Sequence, residues 1–200
     1  SIFAFGGIYA AGIFGWSTTN LGVFGIILII FAALGAMAGG WLDDRIGSKR
    51  TILLAVVGLI IATLGIVSIT VDGLGTDARQ DTVLFFFHYA VAPPGEGMFT
   101  TLAEQIFLVF GIMVGMFGGP AQAASRTMVS RLVPVNKIGE FYGLYALSGE
   151  ATAFIAPLAV ALITGMMQSQ RAGIASILVF LSVGLLLMLP VREERAAPPS

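Results

Sequence analysis

The sequence predicts an all-α fold, a polytopic transmembrane helical bundle, and three observations lead to this prediction. First, 57% of the 200 residues are hydrophobic and only 10% are charged, whereas soluble domains carry about 25% charged residues. Second, the apolar residues are gathered into long runs. Third, the few lysines and arginines are concentrated in the connections on one side of these runs. Such a chain cannot cover its apolar surface in water, so we expect an integral membrane protein.

Six apolar runs follow one another along the chain. An α-helix rises 1.5 Å per residue, so about 20 apolar residues cross a hydrocarbon core of about 30 Å. The first run is short for a span, and we expect a first helix that is shortened by the start of the chain. The runs are Ile2–Trp16, Leu21–Trp41, Ile52–Val71, Leu102–Ala121, Phe141–Thr164 and Ile174–Leu189.

The basic residues predict the orientation of these runs. If all six runs cross the membrane, only Arg79 and Arg171 fall on one side. Cytoplasmic connections carry an excess of lysine and arginine. We therefore expect the other side, and with it the C-terminus, to be cytoplasmic. That side receives Arg45, Lys49, Arg50, Arg126, Arg131, Lys137, Arg192 and Arg195.

Two segments stand apart from the six helices, which we place in residues 1–191. Residues 72–101 form an excursion on the non-cytoplasmic side, where the apolar stretch Val83–Ala92 is too short to span the membrane. Its aromatic side chains suit the headgroup level, so we expect an interfacial or helix-capping segment, with a ligand-gating lid as the alternative. The polar, proline-containing residues 192–200 predict a disordered cytoplasmic tail.

The composition also excludes several kinds of site. Cysteine is absent and histidine occurs once, which excludes a disulfide framework, a thiolate metal site, a cysteine nucleophile and a multi-histidine metal site. Gly118-Gly119-Pro120 lacks the Gly-Lys-Ser/Thr of a phosphate-binding loop. A net charge of −1 gives no indication of a nucleic-acid partner. We predict no catalytic residues, no metal site and no cofactor, and therefore no enzyme.

Small residues at four-residue spacing predict where helices approach one another. This spacing places glycines on one helix face, where they let two backbones pack closely in lipid. Such glycines are frequent in membrane helices, so packing rather than chemistry is the expected role. They are Gly35, Gly39, Gly111, Gly115, Gly119, Gly139 and Gly143.

The charged connection Gly39–Arg50 is the most specific stretch of the chain. Gly47 permits a sharp turn of the backbone, and Asp44 can cap free backbone N–H groups or hold a cation. A generic basic loop would explain only the cations. The ordered pattern resembles the loop motif between the second and third helices of a six-helix half in the major facilitator superfamily. It reads Gly40-x-Leu42-x-Asp44-Arg45-x-Gly47-x-Lys49.

A second set of motifs makes the resemblance more specific. Together with the first motif, it is similar to the vacuolar amino-acid effluxer-like branch of this superfamily, which has many bacterial members, over roughly residues 20–165. The resemblance implies the C-terminal six-helix half of a transporter, efflux of a small solute such as an amino acid, and the bacterial inner membrane. The motifs are Gln122-x-x-Ser125-Arg126, Arg131-Leu132-x-Pro134 and Glu140-Phe141-x-Gly143-Leu144-Tyr145.

Glu150 and Gln122 are the candidates for a substrate or proton path. Glu150 replaces the lysine that the family pattern usually places there, and it lies about 13 Å into the fifth run. A charge at that depth is costly, so we expect it to face a cavity or a partner. The alternative is a neutral, hydrogen-bonded Glu150 in helix packing. Gln122, at the end of the fourth run, either lines the path or packs helices.

A latch is expected among the charges at the cytoplasmic helix ends. Arg126 would pair with Asp44 and Glu140 would join them, as the family resemblance implies for the outward-facing state. The alternative is solvated charge that only sets the orientation. The latch candidates are Asp44, Arg45, Gly47, Lys49, Arg126, Arg131 and Glu140.

Two functions remain open at this point. A six-helix half has only half of a midplane binding site, so transport requires a second half from the same parent chain, another subunit or a second copy of this chain. The alternative is a non-transporting scaffold subunit, docked in a larger membrane complex through its glycine faces and its aromatic excursion.

Overall fold

The structure is a computed structural model that describes residues 2–72, 80–84, 87–91 and 98–191. The predicted tail 192–200 and the remaining residues of the excursion lie outside this description. Within it the chain forms six helices, with a 3₁₀ turn at Val135–Lys137 before the fifth. They are α1 (Ile2–Phe14), α2 (Thr18–Ile46), α3 (Ser48–Ser68), α4 (Leu102–Leu132), α5 (Ile138–Met167) and α6 (Gln170–Met188).

Four of these helices, α2 to α5, are long and apolar enough to cross a membrane. α4 lies at the centre and packs along both α2 and α3, while α6 packs against α3 and α5. Phe107 and Ala62 are completely buried in the core between them. The prediction of a transmembrane helical bundle is therefore confirmed.

The charged connection between the second and third runs is almost entirely helical. α2 continues through both aspartates to Ile46 and α3 begins at Ser48, so the turn is Gly47 alone. The φ of Gly47 is +90°, a conformation that a residue with a side chain adopts only under strain. The expected loop is thus a one-residue break between two helices, and its charges are held on helix ends.

The connection after the fourth run is also shorter than the sequence indicated. α4 runs through Pro120 as far as Leu132, about three turns beyond the end of the apolar run. The apolar run underestimates the length of α4 because the last turns of this helix are no longer apolar, whereas its backbone hydrogen bonds continue. The loop to α5 is short, and Arg126 and Arg131 belong to α4.

The excursion after α3 contains a small antiparallel sheet, formed by β1 (Thr70–Asp72), β2 (Gln80–Leu84) and β3 (Phe87–Val91) in the order β1-β2-β3. Val83 of β2 pairs with both Thr70 and His88. The described residues of this part of the chain form strands, and its interfacial or gating role stays a prediction.

α5 differs from the other long helices because its N-terminal half is almost uncovered. Leu147 and Phe154 are 68% and 69% exposed. Only further along does α5 pack against α6, where Val160 is buried and Gly173 sits on Thr164. In the described part of the chain, α5 therefore presents an open apolar face, in addition to the exposed apolar side chains of α2 and α6.

Candidate functional site

α2 and α4 cross in direct backbone contact. Pro120 has no N–H and so leaves the carbonyl of Met116, four residues earlier, without its helical donor. Gly35 of α2 lies directly over that carbonyl, and a Cβ on Gly35 would overlap it. A Cβ on Gly39 would come within 2.5 Å of the Pro120 ring. Glycine on α2 thus covers the backbone that proline opens on α4, where a Cα–H can contact the freed oxygen.

Glycines of α4 complete the same crossing from the other side. A Cβ on Gly115 would lie 2.8 Å from the carbonyl oxygen of Leu28, and one on Gly119 would lie 2.7 Å from that of Ala32. Gly111 packs on the ring of Phe24. Five of the seven glycines singled out in the sequence therefore meet in one interface, which fixes α2 and α4 as a single unit.

Gly139 and Gly143 are placed differently. A Cβ at either position would meet nothing within 4 Å. They lie near the beginning of α5, where Tyr142 contacts α4 but both glycines are exposed. Within the described residues neither glycine meets another helix, so their expected role as packing glycines stays a prediction.

We call the end of the bundle that carries Arg45, Lys49, Arg50, Arg126, Arg131 and Lys137 the basic end. Its ion pair joins Arg131 of α4 to Asp43 of α2, with 3.4 Å between Nη2 and Oδ2. Arg131 also donates to the hydroxyl of Ser48 on α3 at 3.1 Å. The three central helices are therefore tied together by one guanidinium.

Asp43 is buried in an unusual way. The residue is 5% exposed, and within the described part of the chain its Oδ1 has no hydrogen-bond partner. A buried carboxylate oxygen without a donor destabilises the arrangement that contains it. The Asp43–Arg131 pair thus links the helices but carries the free-energy cost of an unpaired carboxylate oxygen. A different arrangement of the side chains at the basic end could remove that cost.

Asp44, the aspartate of the motif, lies elsewhere. Successive helical residues are rotated by about 100°, so Asp44 points away from α4 and is exposed, while Asp43 continues the face of Gly35 and Gly39. Arg126 is exposed as well, and the hydroxyl of Tyr142 donates to its carbonyl oxygen at 2.9 Å. Among the described residues of this end, Asp43 and Arg131 form an ion pair, where the sequence suggested Asp44 and Arg126.

The other latch candidates are distributed around the basic end. Lys49 donates to the carbonyl oxygen of Leu189 at the end of α6, at 2.7 Å. The guanidinium of Arg45 lies 3.8 Å from the centre of the Trp41 ring, a cation–π contact. Glu140 is exposed in the first turn of α5.

The two path candidates lie on uncovered surfaces of neighbouring helices. Gln122 is exposed on α4, one helical turn before Arg126 and on the same face. Glu150 is exposed on α5, two turns after Tyr142, which contacts α4. α4 and α5 run in opposite directions here, so both candidates lie inward from the basic end, Glu150 deeper by about one turn.

Metal chemistry has no visible basis at these positions. Within the residues that the structure describes, no three histidine or acidic side chains are placed to hold a metal ion. Within the described residues, the arrangement provides a rigid α2–α4 unit, a charged end with an ion pair between buried Asp43 and exposed Arg131, and an open helix with a carboxylate inside an apolar span.

Comparison with known proteins identifies the family. A family model described as vacuole effluxer Atg22 like matches residues 99–199. The chain belongs to this Atg22-like family. The matched region contains α4, α5 and α6, and hence Gln122, Arg131 and Glu150.

Individual relatives agree with this membership. The chain is 26% identical over 94 residues to the uncharacterized MFS-type transporter YxiO of Bacillus subtilis, which is 47% of this chain and 22% of the relative. It is 30% identical over 93 residues to autophagy-related protein 22 of Cryptococcus neoformans, 46% of this chain and 16% of the relative. It is 25% identical over 150 residues to the probable nitrate/nitrite transporter NarK2 of Mycobacterium tuberculosis, 75% of this chain and 30% of the relative.

These Atg22-like and MFS-type relatives are transporters rather than enzymes, as the sequence predicted. The aligned parts cover between 16% and 30% of these relatives, so the chain spans less than a third of their length. No solved structure matches the chain. The Atg22-like protein described here is an integral, multi-pass membrane protein of the major facilitator superfamily.

Sequence reasoning missed Asp43 and Ser48. A signal for Asp43 was present, because Gly35, Gly39 and Asp43 follow at four-residue steps and so share the face toward α4. Ser48 gave no signal, since its role depends on the helix break at Gly47 and on the approach of Arg131 from α4.

Proposed function

We propose that this Atg22-like chain forms one six-helix half of a secondary transporter that moves a small solute by alternating access. The observation that carries the proposal is the open face of α5 with Glu150 in it. Transporters of this superfamily bind solute near the midplane, between two halves that rock against each other. An uncovered span with an acidic side chain is what one half presents when it is viewed alone.

The chemistry of that face argues against lipid as its neighbour. Leu147 and Phe154 suit hydrocarbon, but Glu150 lies between them on the same exposed stretch. A carboxylate that faces the bilayer centre costs about 2.5–3.5 kcal/mol on insertion scales. A water-filled path, or a partner helix that supplies a donor, removes that cost.

The occupant that we propose for this face is a second six-helix half. The relatives are more than three times as long as the part that this chain matches, which leaves room in them for such a half. Here it would be provided by the same parent chain, another subunit or a second copy. Gln122 and Glu150 would then line the path, and Gly139 and Gly143 would meet the partner.

Two observations support a proposal for the solute class, namely the family description and the chemistry of the proposed path residues. The matching family is described as a vacuole effluxer, and one relative is named a probable nitrate/nitrite transporter. We propose efflux of a small polar solute, with amino acids as the first class to test. Arg126 and Gln122 can contact a carboxylate, and Glu150 can contact an ammonium group or carry a proton.

The basic end provides the proposed latch. Asp44, Arg45, Arg126 and Glu140 are exposed there, so they are available to the second half in the state in which that end is closed. Lys49, two residues after the turn at Gly47, ties the start of α3 to the end of α6. The Asp43–Arg131 pair is the inner part of the proposed latch, because Oδ1 of Asp43, which has no hydrogen-bond partner in the described chain, would favour an arrangement that supplies a donor.

Substitution of Glu150 tests the proton role directly. In lipid vesicles that contain the transporter assembled with its second half, we expect Glu150→Gln to reduce amino-acid uptake driven by a proton gradient by about tenfold, the effect of losing about 1.4 kcal/mol. The matched control is Glu194→Gln, the same change in the polar residues 192–200 that follow the six helices, which should leave this uptake within about twofold of the unchanged protein because Glu194 belongs neither to the proposed path nor to the proposed latch. Uptake whose pH dependence survives Glu150→Gln would exclude the proton role.

The orientation is a separate proposal, namely that the basic end and the C-terminus are cytoplasmic in a bacterial inner membrane. Because the chain has no cysteine, single cysteines report their side without background. In intact bacterial cells, an impermeant maleimide should label Met98→Cys and spare Arg50→Cys, with the reverse in inverted vesicles. Labelling of both positions from one side would overturn the topology.

The scaffold function remains the alternative outcome. It would be indicated if the chain purified in mild detergent with unrelated membrane subunits against α5, and if vesicles with the assembled complex moved neither amino acids nor nitrate. Recovery with a second six-helix half supports transport instead.

A further inference from the structure

The outward side of α2 carries a row of large apolar side chains that neither the core nor the proposed path uses. Its members follow at steps of three or four residues, so they share one side of the helix. That side lies opposite to Gly35 and Gly39, which contact α4. We call this row the outer stripe, and within the described chain its members are between 50% and 75% exposed. They are Ile26, Ile30, Leu34, Met37 and Trp41.

The outer stripe ends in a tryptophan that carries an arginine. Arg45 lies one helical turn beyond Trp41, and its guanidinium is 3.8 Å from the centre of the indole ring. The ring covers one flat side of the guanidinium, whereas the N–H donors point outward in its plane. Arg45 also belongs to the last turn of α2, where the helix dipole favours a cation. The apolar row thus leads to an exposed, oriented positive charge.

The size of the side chains distinguishes the outer stripe from the open face of α5. Helices that pack closely in lipid meet through small residues. α5 exposes such residues at Gly139, Gly143 and Gly149, whereas every member of the outer stripe is large. The face of α5 therefore suits a partner helix, and the outer stripe suits acyl chains.

The length of the outer stripe matches one leaflet of a bilayer. Tryptophan is enriched at the headgroup level of membranes. If Trp41 lies at that level, Ile30 lies about 16 Å deeper, which is about half of a hydrocarbon core of about 30 Å. Arg45 then lies about 6 Å further out, where the phosphates of that leaflet are found.

We propose that Trp41 and Arg45 form a binding site for an anionic phospholipid, with its phosphate on the guanidinium and an acyl chain along the outer stripe. Arginine can bind a phosphate through two parallel N–H donors. A net negative headgroup is preferred over a zwitterionic one, because the cation of the latter offsets the attraction. The exposed Asp44 opposes the anion only in part, since it is rotated by about 100° from Arg45 around the helix.

The proposed lipid site does not depend on transport. It uses α2 alone, and it concerns the arrangement in which Arg45 rests on Trp41. Arg45 is also a candidate of the proposed latch, so a headgroup and a second half would bind it in different states.

α3 provides a matched comparison within the same chain. Leu54, Val57 and Ile61 are 52%, 41% and 50% exposed and form a similar row. Arg50, one turn before Leu54, is exposed at the same basic end. Tryptophan occurs only at positions 16 and 41, so Arg50 has no indole to orient it. Arg50→Gln is therefore the control for Arg45→Gln.

Quenching of tryptophan fluorescence by brominated lipids tests the site. Trp41 is 57% exposed and Trp16 is 5% exposed, so the difference between the unchanged protein and Trp41→Phe isolates the Trp41 signal, even if partner chains contribute. In vesicles that contain the assembled protein, phosphatidylglycerol should quench Trp41 at about a fivefold lower mole fraction than phosphatidylcholine brominated at the same acyl carbons. This preference is the order expected from one cation near an anionic surface.

The two arginine variants decide whether the preference belongs to this site. Arg45→Gln should reduce the fivefold preference to less than about twofold, and Arg50→Gln should leave it largely in place. Equal quenching of the unchanged protein by both lipids would overturn the proposal, as would an equal loss in both variants. Absence of quenching by either lipid would show that another chain covers the outer stripe, and would overturn it as well.

Discussion

Gly35→Ala should destabilise the protein by about 3 kcal/mol, near the upper limit for overpacking in a close-packed interior. The added methyl would overlap the carbonyl of Met116. Both groups belong to the backbone of long helices, so neither can move aside as a flexible side chain would. We expect α2 and α4 to separate, with a fall in the detergent melting temperature of about 6–12 °C as followed by circular dichroism.

The control for this prediction lies on the same helix. Gly40→Ala adds the same methyl where nothing lies within 4 Å, and alanine is the better helix former by up to about 1 kcal/mol. The two substitutions should therefore have opposite signs. A Gly35→Ala protein that is as stable as Gly40→Ala would contradict the direct backbone contact between α2 and α4.

Arg131→Ala should destabilise the bundle by about 2 kcal/mol. It leaves the carboxylate of Asp43 buried beside α4 without its cation, and breaking a buried ion pair on one side costs about 3–5 kcal/mol. The side chain of Arg131 is 37% exposed, so water weakens the pair and lowers that figure. Thermal unfolding in detergent measures the effect.

A further variant and a double-mutant cycle test which residues form this ion pair. Arg126→Ala removes the cation that the sequence favoured, and because Arg126 is exposed it should change stability by less than about 0.5 kcal/mol. In a double-mutant cycle, Asp43→Ala combined with Arg131→Ala should lose less than the sum of the single changes, by about 1 kcal/mol. Strict additivity, or a larger effect of Arg126→Ala, would point back to Asp44 and Arg126.

These contacts divide the α2–α4 pair of the Atg22-like bundle into a closely packed middle and two ends that are held by polar side chains. The α2–α4 crossing is rigid because the backbones of the two helices are in direct contact. The proposed rocking of one half against another requires such rigid halves. Two polar contacts between helices lie at the ends of this crossing. They are the ion pair Asp43–Arg131 and the hydrogen bond from Trp16 to Glu104.

Much of this arrangement could be read from the sequence, for reasons that are local. The length of apolar runs fixes which segments can span a bilayer, because each backbone polar group must be satisfied within its own helix there. The order of glycines, aspartates and basic residues also identified the family. The same reasoning underestimated α4, since a helix is not obliged to end where its apolar residues do.

The sequence by itself therefore determined the class of protein, the number of helices and the residues from which its sites are drawn. Only the tertiary structure decided that Asp43 rather than Asp44 meets an arginine, that Gly139 and Gly143 face outward, and that Trp16 reaches Glu104. The physical reason is that hydrophobicity and helix formation depend on neighbours in the chain. A hydrogen bond or an ion pair depends on where two separate helices cross, and a rotation of one residue along a helix is enough to change the partner.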